Sequence, residues 1–367
     1  MKRRSGSRAA IISVLLLGIL IFGGAYYAWN TVVAIFEPVS PTGAGKTIPV
    51  EISQGESTSQ IADDLQRKGL IRNALAFRIW ARIKGLDTRL QAGVYKQLNT
   101  SMSISQIIDQ LLNAQPDAIV VVIPEGWRIA QMAQRFGNAG LIKFNEQDFL
   151  RYTAHPDQFP GRNKYPILKL VPAGMSMEGL LFPASYQVPV NATAADVVGM
   201  MLQTMQDTIQ QNHLDQVAKQ HRLSVYQMLI LASIVEREAV FPEDRGNIAS
   251  VYWNRIYRPN AETVSLLDAD PTVQYARDSL NPPKPPAPYW APLNNDPANI
   301  APNSPWNTYV RTGFPPTPIC SPGLASMQAA AAPPQTDYYF FLAKKDGHSV
   351  FAKTLAEFQA DKQKYLQ

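Results

Sequence analysis

The sequence is poor in cysteine and histidine, which limits the chemistry that it can support. Its 367 residues include one cysteine, Cys320, so no internal disulfide forms and an exported domain would depend on core packing. The four histidines are scattered, and none belongs to a His-Glu-x-x-His pattern. Zinc hydrolases and Cys-based metal sites are therefore disfavoured, and we expect neither a metal nor a cofactor.

Basic charge is also scarce once the first residues are set aside. The net charge is +5, but four of the 34 basic residues lie in positions 1–8, and the remaining 30 nearly balance 29 acidic residues. Nucleic-acid binding needs clustered Lys and Arg on the folded part, so no nucleic-acid partner is expected. The hydrophobic share of 46% is typical of a globular chain, long enough here for two or three domains.

Charge is absent from residues 9–29, AAIISVLLLGILIFGGAYYAW. A run of this length spans the hydrocarbon of a bilayer as a helix, and its aromatic end suits the membrane interface. The basic stub 1–8 then lies in the cytoplasm and the rest of the chain outside, so we predict a single-pass anchor. A cleaved signal peptide is the competing interpretation, but the run is long for one and lacks an A-x-A site.

A Pro/Gly/Ser-rich spacer, residues 30–47, precedes an internal repeat with an offset of 71. Each copy has a strand-like stretch, a glycine turn and a helix that begins near Ser57 or Trp127. The matched positions are Gly55, Ile61, Ala62, Leu65, Gly69, Leu70 and Ile71 with Gly126, Met132, Ala133, Phe136, Gly140, Leu141 and Ile142.

Residues 48–116 resemble a LysM-like unit, a module that binds glycan strands in other proteins. A structural spacer is an equally open interpretation, because short strand–helix units are common. The aromatic residues Phe77, Trp80 and Tyr95 are more often core residues than sugar platforms. Residues 117–367 are predicted to form a larger mixed α+β domain, so the chain as a whole is assigned to the α+β class.

The stretch 224–239, SVYQMLILASIVEREA, predicts a buried helix that ends in acids. Ser224 and Gln227 form a capping box, and Ser233 is the one polar residue between Met228 and Val235. Glu236 follows at the end of this apolar run, where desolvation would raise the pKa of its carboxyl group towards neutrality. A structural ion pair with a nearby arginine is the alternative role for Glu236.

Two further features mark the C-terminal third. Residues 282–305 contain nine prolines and can form neither a helix nor a central strand, so they are either a groove wall or a solvated insertion. Residues 338–343 and 349–351 flank an Asp-Gly pair and predict a hairpin. His348, beside that turn, is expected to be a loop histidine with no catalytic role.

Several motifs then occur in a characteristic order: EGLLFPASY, LASIVEREA, VYWNRI, DPTVQYA, SPWNTY, GFPPTPICSPG and GHSVF. Over residues 48–360 the sequence resembles the endolytic murein transglycosylases of the YceG-like family. Two departures concern the groove: Asp268 stands where members usually have Gln, and the Pro-rich loop is more proline-laden than usual.

This resemblance implies an inner-membrane enzyme with a periplasmic catalytic domain that cuts nascent peptidoglycan strands. It implies Glu236 as the catalytic residue, which donates a proton to the bond between MurNAc and GlcNAc and then accepts one from the sugar's C6 hydroxyl. The product would carry a 1,6-anhydro-MurNAc end, and the enzyme would act as a terminase of strand synthesis. Penicillin-binding proteins are the partners that the family suggests.

Further residues are candidates for orienting the sugar, each with a structural role as its alternative. They are Asn254, Asp270, Gln274, Tyr275, Trp306, Asn307 and Tyr309. Glu238 is two residues from Glu236, on another face of the helix, and is expected to form a salt bridge. Two other functions remain open: a non-catalytic glycan-binding scaffold of the cell-wall machinery, and a true hydrolase that leaves reducing ends.

Overall fold

The computed structural model describes residues 33–41, 45–53, 56–85, 90, 93–113, 118–284 and 288–366. The predicted stub 1–8, the predicted membrane helix 9–29, Gly55 of the repeat and part of the spacer lie outside these residues. Within them, no helix combines the length and the apolar composition needed to cross a bilayer. The architecture is mixed α+β, mostly helical with small two-stranded sheets.

The chain divides into two compact units. One comprises the described residues up to Ala118 with Pro189–Asn191, and the other comprises Ile119–Val188 with Ala192–Gln367. The helices of the first unit are α1 (Thr58–Arg67), α2 (Ala74–Ile83) and α3 (Ile104–Asn113), and its strands are β1 (Val50–Ile52) and β2 (Gly93–Tyr95).

The first unit has the order β1-α1-α2-β2, followed by α3. The two strands pair antiparallel, with Val50 opposite Tyr95 and Ile52 opposite Gly93. Phe77 and Tyr95 are buried in the core of this unit, as expected, and Trp80 is partly buried against it. Ser103 caps α3, because its Oγ accepts a hydrogen bond from the N–H of Gln106.

The second unit is largely helical. Its strands are β3 (Ala118–Val122) from Ile119 onwards, β4 (Ser185–Pro189) as far as Val188, β5 (Phe340–Ala343) and β6 (Ser349–Ala352). Its helices are α4 (Ile129–Gly137), α5 (Glu146–Ala154), α6 (Ala194–Gln211), α7 (Leu214–Gln220), α8 (Val225–Glu238), α9 (Arg245–Tyr257), α10 (Asp270–Leu280), α11 (Leu324–Ala331) and α12 (Leu355–Leu366).

The strands of the second unit form two small sheets. β3 lies beside β4, and β5 pairs antiparallel with β6. The β5–β6 hairpin was predicted from the sequence, and Gly347 in its turn has a φ of 88°, which favours glycine. His348 stacks on Phe241 with ring centroids 3.8 Å apart.

The repeat with an offset of 71 recurs in the backbone as well as in the sequence. Both helices begin where predicted, α1 after Ser57 and α4 two residues after Trp127. Gly69 and Gly140 occupy equivalent places after their helices and have φ values of 72° and 82°. Only glycine adopts this conformation at little cost, so the repeat retains it at both places.

Helix α8 is the centre of the second unit's core. Met228, Leu229, Leu231 and Val235 are fully buried, and α11 packs along the helix. Apolar residues on every side therefore specify a helix that other helices surround.

Candidate active site

Helix α8 carries Glu236 from the core to the surface. The predicted capping box fixes its start: the Ser224 hydroxyl accepts from the N–H of Gln227, and the Gln227 side chain accepts from the N–H of Ser224. Residues 228–235 are buried, whereas Glu236 is partly exposed. Its carboxyl group is thus at the boundary between the core and solvent.

The segment 319–323 runs along α8 and is hydrogen-bonded to it at three points, two of which involve polar side chains of the helix. Ser233 Oγ accepts from the N–H of Ile319 at 3.0 Å, and Glu236 Oε2 accepts from the N–H of Gly323 at 3.0 Å. Ser233 and Glu236 are three residues apart and therefore share a helix face. The one polar residue of the apolar run thus sets the register in which Gly323 meets Glu236.

A third segment, the loop after β3, is bonded to the same place. The N–H of Gly126 donates to Ser321 O at 2.8 Å, and the N–H of Ser321 donates to Trp127 O at 2.9 Å. Gly126 has a φ of 73°, and a β-carbon there would lie 3.7 Å from Glu236 Cγ. Glycine suits this position because of its positive φ, and a β-carbon there would in addition lie only 3.0 Å from Arg237 Nη1.

This loop brings a second carboxyl group, that of Glu125, to the site. A β-carbon added at Gly323 would collide with the Glu125 carboxyl group, so Glu125 lies directly against Gly323. Burial raises the pKa of Glu125, the negative charge of Glu236 raises it further, and Arg245 lowers it. Glu125 and Glu236 therefore meet at one glycine and interact electrostatically.

Sequence analysis missed Glu125, although the repeat contains a signal. The Glu125-Gly126 pair in the second copy corresponds to Gln54-Gly55 in the first. The turn glycine is thus retained, while the residue before it is an acid only in the copy that approaches Glu236. The change from an amide in the first copy to an acid in the second is the sequence signal that could have identified Glu125 as a candidate site residue.

A third acid, Glu238, lies two residues after Glu236 and points to a different face of α8. Its carboxylate accepts a hydrogen bond from Tyr252 Oη at 2.8 Å. Burial raises the pKa of Glu238 to about 7, the Tyr252 hydrogen bond lowers it, and the charge of Asp270 raises it. The predicted salt bridge of Glu238 is absent among the described residues. Its partner is the Tyr252 hydroxyl and not a basic side chain.

Two of the predicted sugar-orienting residues form a pair at the start of α10. Tyr309 Oη donates to Asp270 Oδ1 at 2.6 Å, and Asp270 is exposed. Burial and the nearby Asp270 both raise the pKa of Tyr309, so its hydroxyl keeps its proton. Asp268, the departure from the family pattern, pairs with Arg255 at 3.0 Å.

The two predicted asparagines are buried and hydrogen-bonded to backbone. Asn254 Nδ2 donates to Thr336 O at 3.0 Å and Tyr338 O at 2.9 Å. Asn307 Nδ2 donates to Pro297 O at 3.1 Å and Ile300 O at 2.8 Å. These amides therefore brace loops within the second unit.

The remaining predicted residues adjoin the Pro-rich loop. Gln274 Nε2 donates to Ala291 O at 3.3 Å, and the rings of Tyr275 and Trp306 lie 5.7 Å apart. Trp306 Nε1 donates to Thr317 at 3.0 Å. Tyr275 is buried, so only Gln274 and Trp306 keep partly exposed side chains.

The described part of the Pro-rich loop covers two arginines. The Trp290 ring lies 4.5 Å from the Arg237 guanidinium, and the Tyr289 ring lies 5.0 Å from that of Arg128. The N–H of Trp290 donates to Asp278 at 3.0 Å. Trp290 is therefore packed against the helix that carries Glu236.

A buried acid links the EGLLF motif to the same region. Glu178 Oε1 accepts from the N–H of Ile129 at the start of α4 at 3.0 Å. Burial raises the pKa of Glu178 to about 7, although Arg128 and hydrogen bonds lower it.

The described residues include no cluster of His, Cys, Asp and Glu suited to a metal ion.

The sequence profile of the YceG-like family matches residues 50–364. An endolytic murein transglycosylase of Bacillus subtilis is 31% identical over 95% of this chain and 91% of that protein. One from Streptococcus pneumoniae serotype 2 is 28% identical over 92% of this chain, which spans 61% of that relative. This chain is also similar to the crystal structure of a YceG-like protein from Listeria monocytogenes, with 32% sequence identity and a TM-score of 0.56. The match covers 87% of this chain and 100% of the Listeria chain.

Proposed function

The chain belongs to the YceG-like family, and on that premise we propose that it is an endolytic lytic transglycosylase of peptidoglycan. It cleaves the MurNAc–GlcNAc bond within nascent strands and leaves 1,6-anhydro-MurNAc ends, which makes it a terminase of strand synthesis. The observation that carries this proposal is the position of Glu236. Its carboxyl group is partly exposed at the end of a buried helix and accepts a hydrogen bond from Gly323.

The reaction needs one group that first donates and then accepts a proton. Protonated Glu236 donates to the glycosidic oxygen as the bond from that oxygen to C1 of MurNAc breaks. The C6 hydroxyl oxygen of the same sugar attacks C1, and its proton passes to the Glu236 carboxylate. The acid is thereby regenerated, no water is consumed, and the intramolecular nucleophile has a large proximity advantage over water.

The candidate sugar-binding residues differ in exposure and therefore have different roles in this proposal. Asp270 and Tyr309 form an exposed hydrogen-bonded pair that can orient sugar hydroxyls. Gln274 and Trp306 can contribute an amide and an aromatic face. Asn254, Asn307 and Tyr275 are buried, so their contribution to binding is to hold the loops that carry the others.

A second candidate function, hydrolysis, is favoured by Glu125. Glycosidases that use water employ two carboxyl groups, and this site has two that meet at Gly323. In that reaction Glu236 remains the acid while Glu125 activates water or attacks C1. The products distinguish the two candidates, because hydrolysis leaves reducing ends and no anhydro sugar.

The experiment is digestion of purified peptidoglycan by the wild type and by Glu236→Gln, with mass spectrometry of the products. We expect anhydro-ended fragments from the wild type and none from the folded variant. Reducing ends would assign the chain as a hydrolase. If the two proteins release anhydro ends equally fast, Glu236 is not the acid, and if neither releases fragments, the chain acts as a glycan-binding scaffold.

The cellular setting is part of the proposal. Residues 9–29 anchor the protein in the inner membrane, with the N-terminus cytoplasmic and the catalytic unit periplasmic, as their charge pattern suggests. The order β1-α1-α2-β2 supports a LysM-like glycan-binding role for residues 48–116. Penicillin-binding proteins, which make the strands, are the proposed partners.

A further inference from the structure

We propose that helix α2 of the first unit is a membrane-docking helix, whose exposed apolar stripe inserts into the interface of an anionic bilayer. The stripe consists of Leu75, Ile79 and Ile83. This inference rests on the proposed function, because the anchor at residues 9–29 brings α2 to the bilayer. It adds a second attachment, which holds the first unit against the surface where new glycan strands emerge.

The stripe is one of two apolar faces of α2. Phe77 and Ala81 lie on the opposite face and are buried in the core of the first unit. Leu75, Ile79 and Ile83 recur every four residues and therefore share one face of the helix. They are 60%, 44% and 71% exposed, so the described residues leave this face uncovered. A contiguous apolar surface of this kind marks a site of protein or membrane contact.

The charge around the stripe is positive. Residues 65–85 contain six basic residues and no acid. The two acids before them are already paired, Asp63 with Arg78 and Asp64 with Arg67. A basic, amphipathic helix is typical of segments that lie in the plane of the interface, and each Lys or Arg near an anionic surface contributes about 1 kcal/mol to binding. The stripe and its surroundings therefore fit the head groups of anionic phospholipids.

The chain reaches α2 almost directly from the predicted membrane segment. Phe36 is seven positions after Trp29, the last residue of the apolar run. Its ring packs on Trp80 of α2 with centroids 5.8 Å apart, and Arg72, just before the helix, donates through Nε to Pro38 O at 3.0 Å. Even fully extended, seven residues span at most about 25 Å, so α2 stays close to the interface at Trp29.

The same contacts determine which end of α2 is nearer to the bilayer. As the chain leaves the membrane segment, it first meets the C-terminal half of α2 through Phe36 and then the start of the helix through Pro38. The C-terminal end therefore points towards the bilayer. It carries Ile83, the most exposed residue of the stripe, and the positive charge of Lys84 at the C-cap. We expect Ile83 to insert more deeply than Leu75.

The first test is fluorescence labelling of the full-length protein in vesicles. Cys320 is fully buried, so a cysteine introduced at the surface can be labelled selectively, with the unaltered protein as the blank. The probes are attached to Ile83→Cys and to the equivalent variants of the other two stripe residues. Ser59→Cys and Ser105→Cys, at exposed positions on α1 and α3, are the matched controls. Nitroxide-labelled phospholipid quenches a fluorophore that enters the interface.

In vesicles of phosphatidylglycerol and phosphatidylethanolamine, we expect the three stripe probes to be quenched about threefold more than the two controls. The probe at Ile83→Cys should be quenched most. Neutral phosphatidylcholine or high salt should weaken the quenching, because the basic residues then contribute less to binding. Equal quenching at stripe and control positions overturns the proposal and leaves the stripe to a protein partner or to a second copy of the chain.

A charge placed in the stripe provides a second measurement. Ile83→Glu should reduce the quenching of a probe at Leu75→Cys to the level of the controls, because an anionic interface repels a carboxylate. Ile142→Glu introduces the same charge at a residue of the second unit that is 66% exposed, and it should leave the quenching unchanged. Circular dichroism shows whether each variant is folded. Undiminished quenching in a folded Ile83→Glu overturns the proposal.

The anchor and the docking are measured separately. Flotation of the vesicles after an alkaline carbonate wash reports whether the chain is anchored in the bilayer. If the protein floats while the stripe probes remain unquenched, the anchor stands and the docking fails. If the wash removes the protein, the anchor of the proposed function fails, and the quenching before the wash decides the docking alone. Digestion of soluble peptidoglycan by Ile83→Glu should match the wild type, which separates loss of docking from loss of activity.

Discussion

The hydroxyl of Ser233 accepts a hydrogen bond from the N–H of Ile319 at 3.0 Å and donates to Ile230 O at 2.7 Å. Both groups are buried, so this hydroxyl satisfies a backbone donor that solvent does not reach. It also determines where Gly323 lies along α8. A serine in an otherwise apolar helix therefore aligns the two carboxyl groups of the site.

Ser233→Ala should lower the free energy of unfolding by about 1–3 kcal/mol, because the Ile319 N–H loses its partner. Activity should fall further than stability predicts, since the segment 319–323 is released from its register on α8. Urea denaturation and peptidoglycan digestion measure the two effects. Full activity in a destabilised Ser233→Ala would show that Ser233 does not align the site.

Gly179→Ala should be more harmful than Gly174→Ala. Both glycines have a positive φ, 77° and 76°, so both variants incur the left-handed cost of about 1–2 kcal/mol. Only at Gly179 would the new methyl group meet Pro318 and Cys320 O, whereas nothing lies within 4 Å at Gly174. The difference in melting temperature between the two variants measures the cost of the steric contact at Gly179. Equal losses of stability would contradict this prediction.

Trp290→Ala should reduce kcat/KM about tenfold while costing only about 0.5–2 kcal/mol of stability, the range for a cation–π contact. Without the ring, the Arg237 side chain next to Glu236 is no longer held in place. Trp290→Phe retains an aromatic face and should keep most of the activity. Wild-type kinetics in Trp290→Ala would mean that the loop does not line the groove.

The buried Glu178 predicts a loss of stability as the pH rises. Its folded-state pKa of about 7 lies above the ordinary 4.5, so folding is most favourable below pH 4.5 and loses up to about 3 kcal/mol by pH 7. Glu238 has a similar pKa and adds a similar slope. Glu178→Gln should therefore remove about half of the slope in urea denaturation, and the exposed Glu243→Gln none of it.

Asn254→Ala should be a stability variant. Its side chain is 1% exposed and donates to two carbonyl groups, so its removal should cost about 2–3 kcal/mol and leave KM unchanged in the folded fraction. Kinetics at a temperature where the variant is folded provide the check. A raised KM with an unaltered melting temperature would assign Asn254 to substrate binding.

Local signals in the sequence were sufficient for the helix that carries Glu236. The Ser224–Gln227 capping box and the unbroken apolar run specify where α8 begins and that it is buried. The hairpin before α12 was predictable for the same reason, since an Asp-Gly turn acts on its immediate neighbours. These features depend on residues only a few positions apart.

The rest of the site depends on contacts between distant segments. Glu125 is 111 positions from Glu236 and reaches it through backbone bonds to Ser321, which have no side-chain signature. The buried amide of Asn254 likewise binds carbonyl groups more than 80 positions away. From the sequence alone, a polar residue at a helix end can be a ligand-binding group or a partner of backbone carbonyl groups, and only the tertiary structure distinguishes the two roles.

The sole thiol of the chain gives this protein a built-in chemical reporter. Cys320 is fully buried, and its Sγ donates to Ser233 O at 3.3 Å, three residues before Gly323. A thiol reagent can modify it only while the segment 319–323 is detached from α8. The labelling rate of the unaltered protein therefore measures how often that segment separates, and a glycan that binds across it should slow the reaction.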